Sequence, residues 1–518
     1  MKMNSFKYIS TLTVLTFITV LSASQLDAQS RMFTPANHGL GGGGTAYLDT
    51  YNANFINPAN LMLNHDRRPK RSVGLAGLSA STGGSLMNIE TYNKYLTTGL
   101  TISGTVANEM IDSWFGTNIQ GERSLDLEVG IVPLGIASRG RNSSYSIAVR
   151  NRMLANVSMS RGMAELFFYG PDPEVFENGR PVNIGMESLA FTEISFGYAR
   201  QVWGADNLII GRDVKLFVGV APKLLLAQNT QRIAMNSMVY ARSNDHPEGG
   251  QFRHDLDYTI ETIGELADGL RRYNQDRQGG NYPNLDDYID PQPKDFYNTK
   301  NTSVGLDIGA TLEMDISHLP LPNIFMFRGP KKLRAGFSIS DIGSVNFKDD
   351  LGQFVNSQQI IFNGFDFDRV RIDEEFNGDE GEYFESILAD SIGNEQYLGF
   401  EVNDPTSFRR GLPTTMNFGA HAQLGKLSAM LDFGKGFNNR GINSNRAYMA
   451  VGLEYKFINR IPLRIGMRTG GHTSTSYHVG TGVELRNFEF TVSASSVAKS
   501  GEYGSGIAGA WSGLVFHF

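Results

Sequence analysis

Between Val304 and Ile316 the sequence alternates almost without fault. Val304, Leu306, Ile308, Ala310, Leu312, Met314 and Ile316 fall on one side of an extended chain, and Gly305, Asp307, Gly309, Thr311, Glu313 and Asp315 on the other. Successive strand side chains point to opposite faces, so this run has one face in an apolar medium and one in a polar one. It is longer than the roughly 9–11 residues that carry a tilted strand across a bilayer. Comparable alternation recurs at Arg71 to Ser79, Leu125 to Ile131, Tyr145 to Val149, Leu189 to Arg200, Val214 to Val220, Leu333 to Ile339 and Met416 to Leu424. It continues at Leu427 to Phe433, Met449 to Phe457, Leu463 to Met467, Tyr477 to Leu485, Phe488 to Ala494 and Leu514 to Phe518. The expected fold is all-β: an antiparallel transmembrane barrel of about 14 strands, an even number as single-chain outer-membrane barrels require.

A soluble sandwich alternates too, but the connections separate the two readings. Outer-membrane barrels have short periplasmic turns and longer outer loops. Counting back from Phe518, the connections at Arg486 and Asn487, at Ile458 to Arg460, around Gly425, at Gly204 to Asp206 and at Gly140 to Asn142 are short and share one side. Those at Val497 to Gly506, Thr469 to Ser474 and Gly434 to Asn445 are longer and fall on the other. The same parity puts two large insertions, 228–301 and 343–412, outside. Only Ser317 to Pro330 is too long for an inner turn.

Lys2 and Lys7 precede an apolar run from Ile9 to Ala23, followed by polar Ser24 to Gln29, which reads as a signal peptide over 1–28. No later stretch is apolar over 18 residues, so a membrane form must be a barrel, the other structure that satisfies every backbone N–H and C=O in hydrocarbon. With no Cys there is no lipid-anchor site. Loss of Lys2, Lys7 and Asp27 leaves 44 basic against 52 acidic residues, the wrong sign for nucleic acid. The lipid bilayer is the expected partner.

Ahead of the strands lies GLGGGGTAYLDTYNANFINPANLML, Gly39 to Leu63. Its glycines are not a phosphate loop, because no Lys and Ser/Thr follow at the required spacing. The Gly-rich stretch Gly39 to Ala46 and the element Asn57, Pro58, Ala59 resemble the N-terminal hatch of the FadL-like superfamily. That group holds long-chain fatty-acid transporters and, among its relatives, the barrel subunit of type IX secretion. The motif covers roughly 25 residues; the remaining likeness is in architecture. Asn60 stands where many members carry Gly or Leu. The resemblance implies a hatch within 29–70, a barrel over 71–518, and passage of a hydrophobic or amphipathic small molecule. The alternative is a protein-export or surface-attachment component with a secreted or surface protein as partner.

Phe518 and Phe516, on the same face as Leu514, form the aromatic end of an amphipathic strand, expected to serve as the barrel-assembly signal. Ile260, Ile263, Leu266, Ala267, Leu270 and Tyr273 stand at helical spacing and predict a short amphipathic helix over Thr259 to Asn274 at the barrel mouth. From Asp349 to Asp404 there are 15 acidic residues against Arg369 and Arg371, a solvated loop. Within it Asp373, Glu375, Asn377 and Gly378 follow the start of a calcium loop, yet the twelfth position is Phe384, so these are a weak calcium candidate. No HExxH, GxSxG or Cys nucleophile is present. Neither an enzyme nor a cofactor is expected.

Overall fold

A computed structural model describes residues 34–64, 69–86, 104–116, 118, 121–208, 211–279, 285–288, 301–319, 325–378, 383, 386, 399–440, 443–458, 460–471, 475–497 and 506–518. The expected signal peptide, 1–28, lies outside them. In chain order the first strands are β1 (Arg71–Gly83), β2 (Glu122–Arg139), β3 (Ser143–Ser160), β4 (Arg180–Leu208), β5 (Gly211–Arg242), β6 (Gln251–Ile263) and β7 (Asn301–Asp315). They are followed by β8 (Lys331–Phe347), β9 (Leu351–Asn363), β10 (Glu401–Asn403), β11 (Phe408–Gly411), β12 (Thr415–Leu424) and β13 (Leu427–Gly436). The last are β14 (Ala447–Ile458), β15 (Ile461–Gly470), β16 (Ser476–Glu484), β17 (Phe488–Val497), β18 (Gly506–Trp511) and β19 (Leu514–His517).

Every pairing is antiparallel, and the ladder closes on itself. β1 pairs with β2 on one edge and with β18 and β19 on the other. Ser512 and Gly513 interrupt what is otherwise one final strand, and Gly513, at φ +65°, supplies the kink. With β18 and β19 as one, and β6, β9, β10 and β11 outside the ring, the barrel has 14 strands. Closure leaves no edge to desolvate, which is why a sheet can stand in lipid. At the inner end the backbones of Arg71 and Phe518 exchange two hydrogen bonds, 2.9 and 3.2 Å.

Alternation explains the two faces. Along β7, Val304 is 76% exposed while Asp307 is fully buried, so the apolar set faces out and the polar set into the lumen. Phe418, Phe433, Val451, Ile465, Val479 and Trp511 continue the outward apolar band. Strands β12, β13, β15 and β17 have 10 residues each, a single crossing. By contrast β4 has 29 and β5 has 32, and their outer halves carry a second storey in which β6 pairs with β5, β9 with β6, and β10 with β9.

Four local expectations change. The inner turn at Gly204 to Asp206 is strand: pairing runs on to Leu208↔Gly211. The segment Thr259–Ile263 ends β6, and the helix is Glu265–Gln278, starting after Gly264 at φ +65°. Two β-branched pairs, Thr259–Ile260 and Thr262–Ile263, favour the strand over the helical spacing they also satisfy. The acidic insertion is not one loop, since most of its acid-free part, Leu351 to Phe365, forms β9 (Leu351–Asn363). The described ends of the long inner connection are tied down: Ile316 N–H donates to the Lys331 carbonyl at 3.0 Å, and Lys426 N–H to that of Met326 at 2.9 Å. They pack Leu319 against Met314, Leu333 and Leu424 at the inner rim.

Candidate functional site: the occupied lumen

The chain from Thr34 to Leu63 lies inside the ring. It holds one helical turn, Pro35–His38, and two 3-10 turns, Thr50–Phe55 and Pro58–Met62. Pro58 suits the first position of its turn because it has no N–H to satisfy, and it keeps Asn57 extended at φ −153°, ψ 99°. The Asn57 side-chain oxygen caps the turn by accepting from Ala59 N–H at 3.1 Å. Asn57, Pro58, Ala59 and Asn60 are all buried.

Two asparagines tie this segment across the lumen. Asn57 Nδ2 donates to the Thr45 carbonyl at 2.7 Å, to Thr311 Oγ1 at 2.9 Å and to the Ala310 carbonyl at 3.2 Å. Asn60 Nδ2 donates to the same Thr45 carbonyl at 3.1 Å, and Asn60 Oδ1 accepts from Thr311 Oγ1 at 2.6 Å. Thr45 N–H in turn donates to Asp432 Oδ1 at 3.0 Å, and Gly44 N–H to Asp432 Oδ2 at 3.1 Å. A hydrogen-bonded strut therefore runs from β13, through Thr45 and both asparagines, to β7. Glycine in the wall makes room for it. A Cβ at Gly309 would overlap Asn57 Oδ1, and one at Gly219 would overlap the Pro58–Ala59 backbone.

The segment divides by what it touches. In Thr34–Leu48, His38 bonds Ser493 and Ser495 of β17 at 2.8 and 2.9 Å, and Tyr47 donates to Glu454 of β14 at 2.8 Å. Glu454 also accepts from Arg464 at 2.7 Å. In Thr50–Leu63, Asn54 bonds Ser146 of β3 and the Ser195 carbonyl of β4, and the Leu63 carbonyl accepts from Arg139 of β2 at 3.0 Å. Tyr51 lies over Gly74 and Gly135 of β1 and β2. The joint is Asp49–Thr50, with Thr50 at φ +59°, a strained value for a β-branched residue.

Directly outward of this segment is a layer of buried charge. Lys223 Nζ sits 2.8 Å from Asp307 and 2.7 Å from Asp341, and Arg152 contacts Asp341 and Glu128, both at 2.7 Å. Arg150 pairs with Glu193 at 2.8 Å and lies 4.2 Å over the Phe55 ring. Buried ions persist only when paired this closely. One step further out the lumen turns apolar, with Leu154, Phe191, Leu225, Val345, Phe347 and Phe408 packed together.

Alternation places Asp307 on the lumen face, but the other members of the charge layer were not legible, because their partners come from strands far apart in sequence. A charged residue at a lumen-face position of an apolar strand is the signal that finds them. His478 is buried on the lumen side of β16, beside His38 at 5.0 Å. The calcium candidates lie elsewhere. Asp373 and Glu375 end the helix Arg369–Glu375, Glu375 accepts from Arg371 at 2.8 Å, and Asn377 follows at φ +52°. Among the described residues no three His, Asp or Glu side chains gather as a metal would need. Phe516 packs on Phe488 at 5.7 Å, and Phe518 is exposed at the lipid-facing end of the strand.

A family model of proteins of unknown function, DUF5723, matches residues 62–495. The chain belongs to the DUF5723 family. Its match begins at the end of the lumenal segment and takes in nearly the whole ring of this DUF5723 barrel. No curated protein matches the sequence. Among solved structures it is similar to the toluene transporter TodX of Pseudomonas putida, with 9% identity over 95% of this chain and 99% of that one, TM-score 0.44. The toluene transporter TbuX of Ralstonia pickettii gives 11%, 95%, 99% and 0.43, and a FadL homologue of Pseudomonas aeruginosa 12%, 95%, 98% and 0.39.

Proposed function

We propose that this DUF5723 protein is a non-catalytic outer-membrane conduit for hydrophobic or amphipathic small molecules, closed at rest by residues 34–63 acting as a hatch. One observation carries the reading: the apolar layer around Phe191 and Phe347 stands directly on the charged layer of Arg150, Arg152 and Lys223. An amphipathic molecule has the same polarity, an apolar body and a polar end, and would lie along the lumen axis with its head toward the hatch. The charges of this layer are paired with one another, which supports a role as binding and sorting groups.

The test uses vesicles carrying the full-length chain or a chain lacking Gly39 to Leu63. The full-length protein should admit an apolar dye and a long-chain carboxylate faster than empty vesicles, and the deletion should also pass small polar solutes. Rates equal to those of empty vesicles for both probes would overturn the proposal.

A further inference from the structure

We infer that the hatch opens by parting along a built-in seam, its first half staying with one side of the barrel wall and its second half with the other. The inference rests on residues 34–63 being a hatch, and takes up how such a hatch moves.

The partition of contacts carries it. The first half is bonded to β13, β14 and β17 through Asp432, Glu454 and the two serines around His38. The second half is bonded to β2, β3, β4 and β7. Each half is thus held by its own arc of wall. Across the seam both asparagine amides bond one atom, the Thr45 carbonyl oxygen, which accepts from Asn57 and from Asn60. Along the chain the halves join only at Asp49–Thr50, where Thr50 has positive φ. That joint borders two small clefts beside the inner ends of the strands, one reaching Lys456 and Glu489 and the other Lys70 and His517. A strained joint beside these clefts, with a single acceptor latching the far side, yields before the separate wall anchors of either half do. Removing the two amides should free the seam; it also removes the bonds to Ala310 and Thr311 of β7, and the second half then stays on its arc through Arg139, Ser146 and the Ser195 carbonyl.

The absence of cysteine allows spin labels to be placed at will. One pair, at Ala36 and Asn52, reads the separation of the halves. A second, Ala36 with Asn487, reads the first half against its wall, and a third, Asn52 with Arg141, reads the second against its own. In N57A/N60A the first distance should gain a longer population while the other two keep their wild-type distributions. T50G, which relieves the joint and leaves the latch intact, should shift the same distance less, and N60A alone, which removes one latch donor and keeps Asn57 on Thr311, serves where the double variant does not reach the heat-modifiable folded form. Lengthening of both half-to-wall distances with Ala36–Asn52 unchanged would mean the hatch moves as one body and would overturn the inference, as would three unchanged distributions. Dye influx measured on the same samples keeps the two readings apart. Parting without influx leaves the seam standing and removes transport; influx without parting does the reverse.

Discussion

Asp432 holds Thr45 by its amide: one carboxylate oxygen accepts from Thr45 N–H at 3.0 Å while the other accepts from Gly44 N–H at 3.1 Å. Two backbone donors on one carboxylate are charge-assisted bonds, each worth about 1.5–3 kcal/mol. Asp432→Asn would put an amide NH2 against one of those N–H groups. Exchange of the Gly44 and Thr45 amides should rise about 10- to 100-fold, the equivalent of about 1.4–2.8 kcal/mol. Amide-resolved hydrogen exchange on the assembled barrel checks this, with amides of β13 as the unchanged reference.

Gly219 faces the backbone of Pro58 and Ala59 with no space for a side chain. Gly219→Val keeps a good strand residue on β5 yet drives it into the lumenal segment at Pro58 and Ala59. Overpacking of this kind costs about 1–3 kcal/mol. The ladder should survive and the hatch should be displaced, so the variant should keep heat-modifiable gel mobility while becoming cleavable by protease between Thr34 and Leu63.

Lys223, with no exposed side-chain surface, is the centre of the lumenal charge layer. Removing one partner strands the others in a low-dielectric space, at about 3–5 kcal/mol. Lys223→Met should lower the urea midpoint of unfolding from micelles by that equivalent. The double change Lys223→Met with Asp307→Leu should recover part of it, and no recovery would deny the pairing.

In the outer storey His254 is buried beside Phe252, and desolvation lowers its pKa from 6.5 to about 4, with Asp255 opposing the shift. Between those values the unfolded chain binds a proton that the folded one does not. Its contribution is therefore intact above about pH 6.5, falls as pH drops toward 4, and changes little below that; the full loss is about 3 kcal/mol. Exchange of β6 and β9 amides should accelerate over that window in the wild type and much less in His254→Leu.

Phe518 closes the inner end of the ring through its backbone pairing with Arg71. Deleting it should lower the outer-membrane yield and leave export across the inner membrane unchanged, as read by fractionation. A normal yield would remove the assembly role from this residue.

The ring was legible because its signal is local. Val304 to Ile316 alternates over its own length, and the other thirteen runs named from the sequence each fall within a strand of the barrel, β4 and the final strand included. What was not legible depends on distant partners or on competition between periods. Ile260 and Ile263 satisfy both helix and strand spacing, and pairing with β5 and β9 decided for the strand. The acidic count over Asp349 to Asp404 averaged an acid-free strand with an acid-rich remainder. Asn57 and Pro58 could be picked out as a motif, but Thr45 and Thr311, which hold them, are unremarkable in sequence and become significant only when the ring closes.

The length of β5 has a mechanical meaning. At about 3.3 Å per residue its 32 residues form a ribbon on the order of 100 Å, cross-linked to β4 along almost its whole run. Tyr240 in the outer storey and Gly219 against the hatch are points on one stiff beam with no loop between them. The β4–β5 ladder is irregular at two places, beside Ala190 and Phe191 and beside Gln201 and Trp203. A twist of the outer storey would thus reach the wall beside Pro58 and Ala59 along continuous strand, whereas β13 and β17, at 10 residues each, have no such extension.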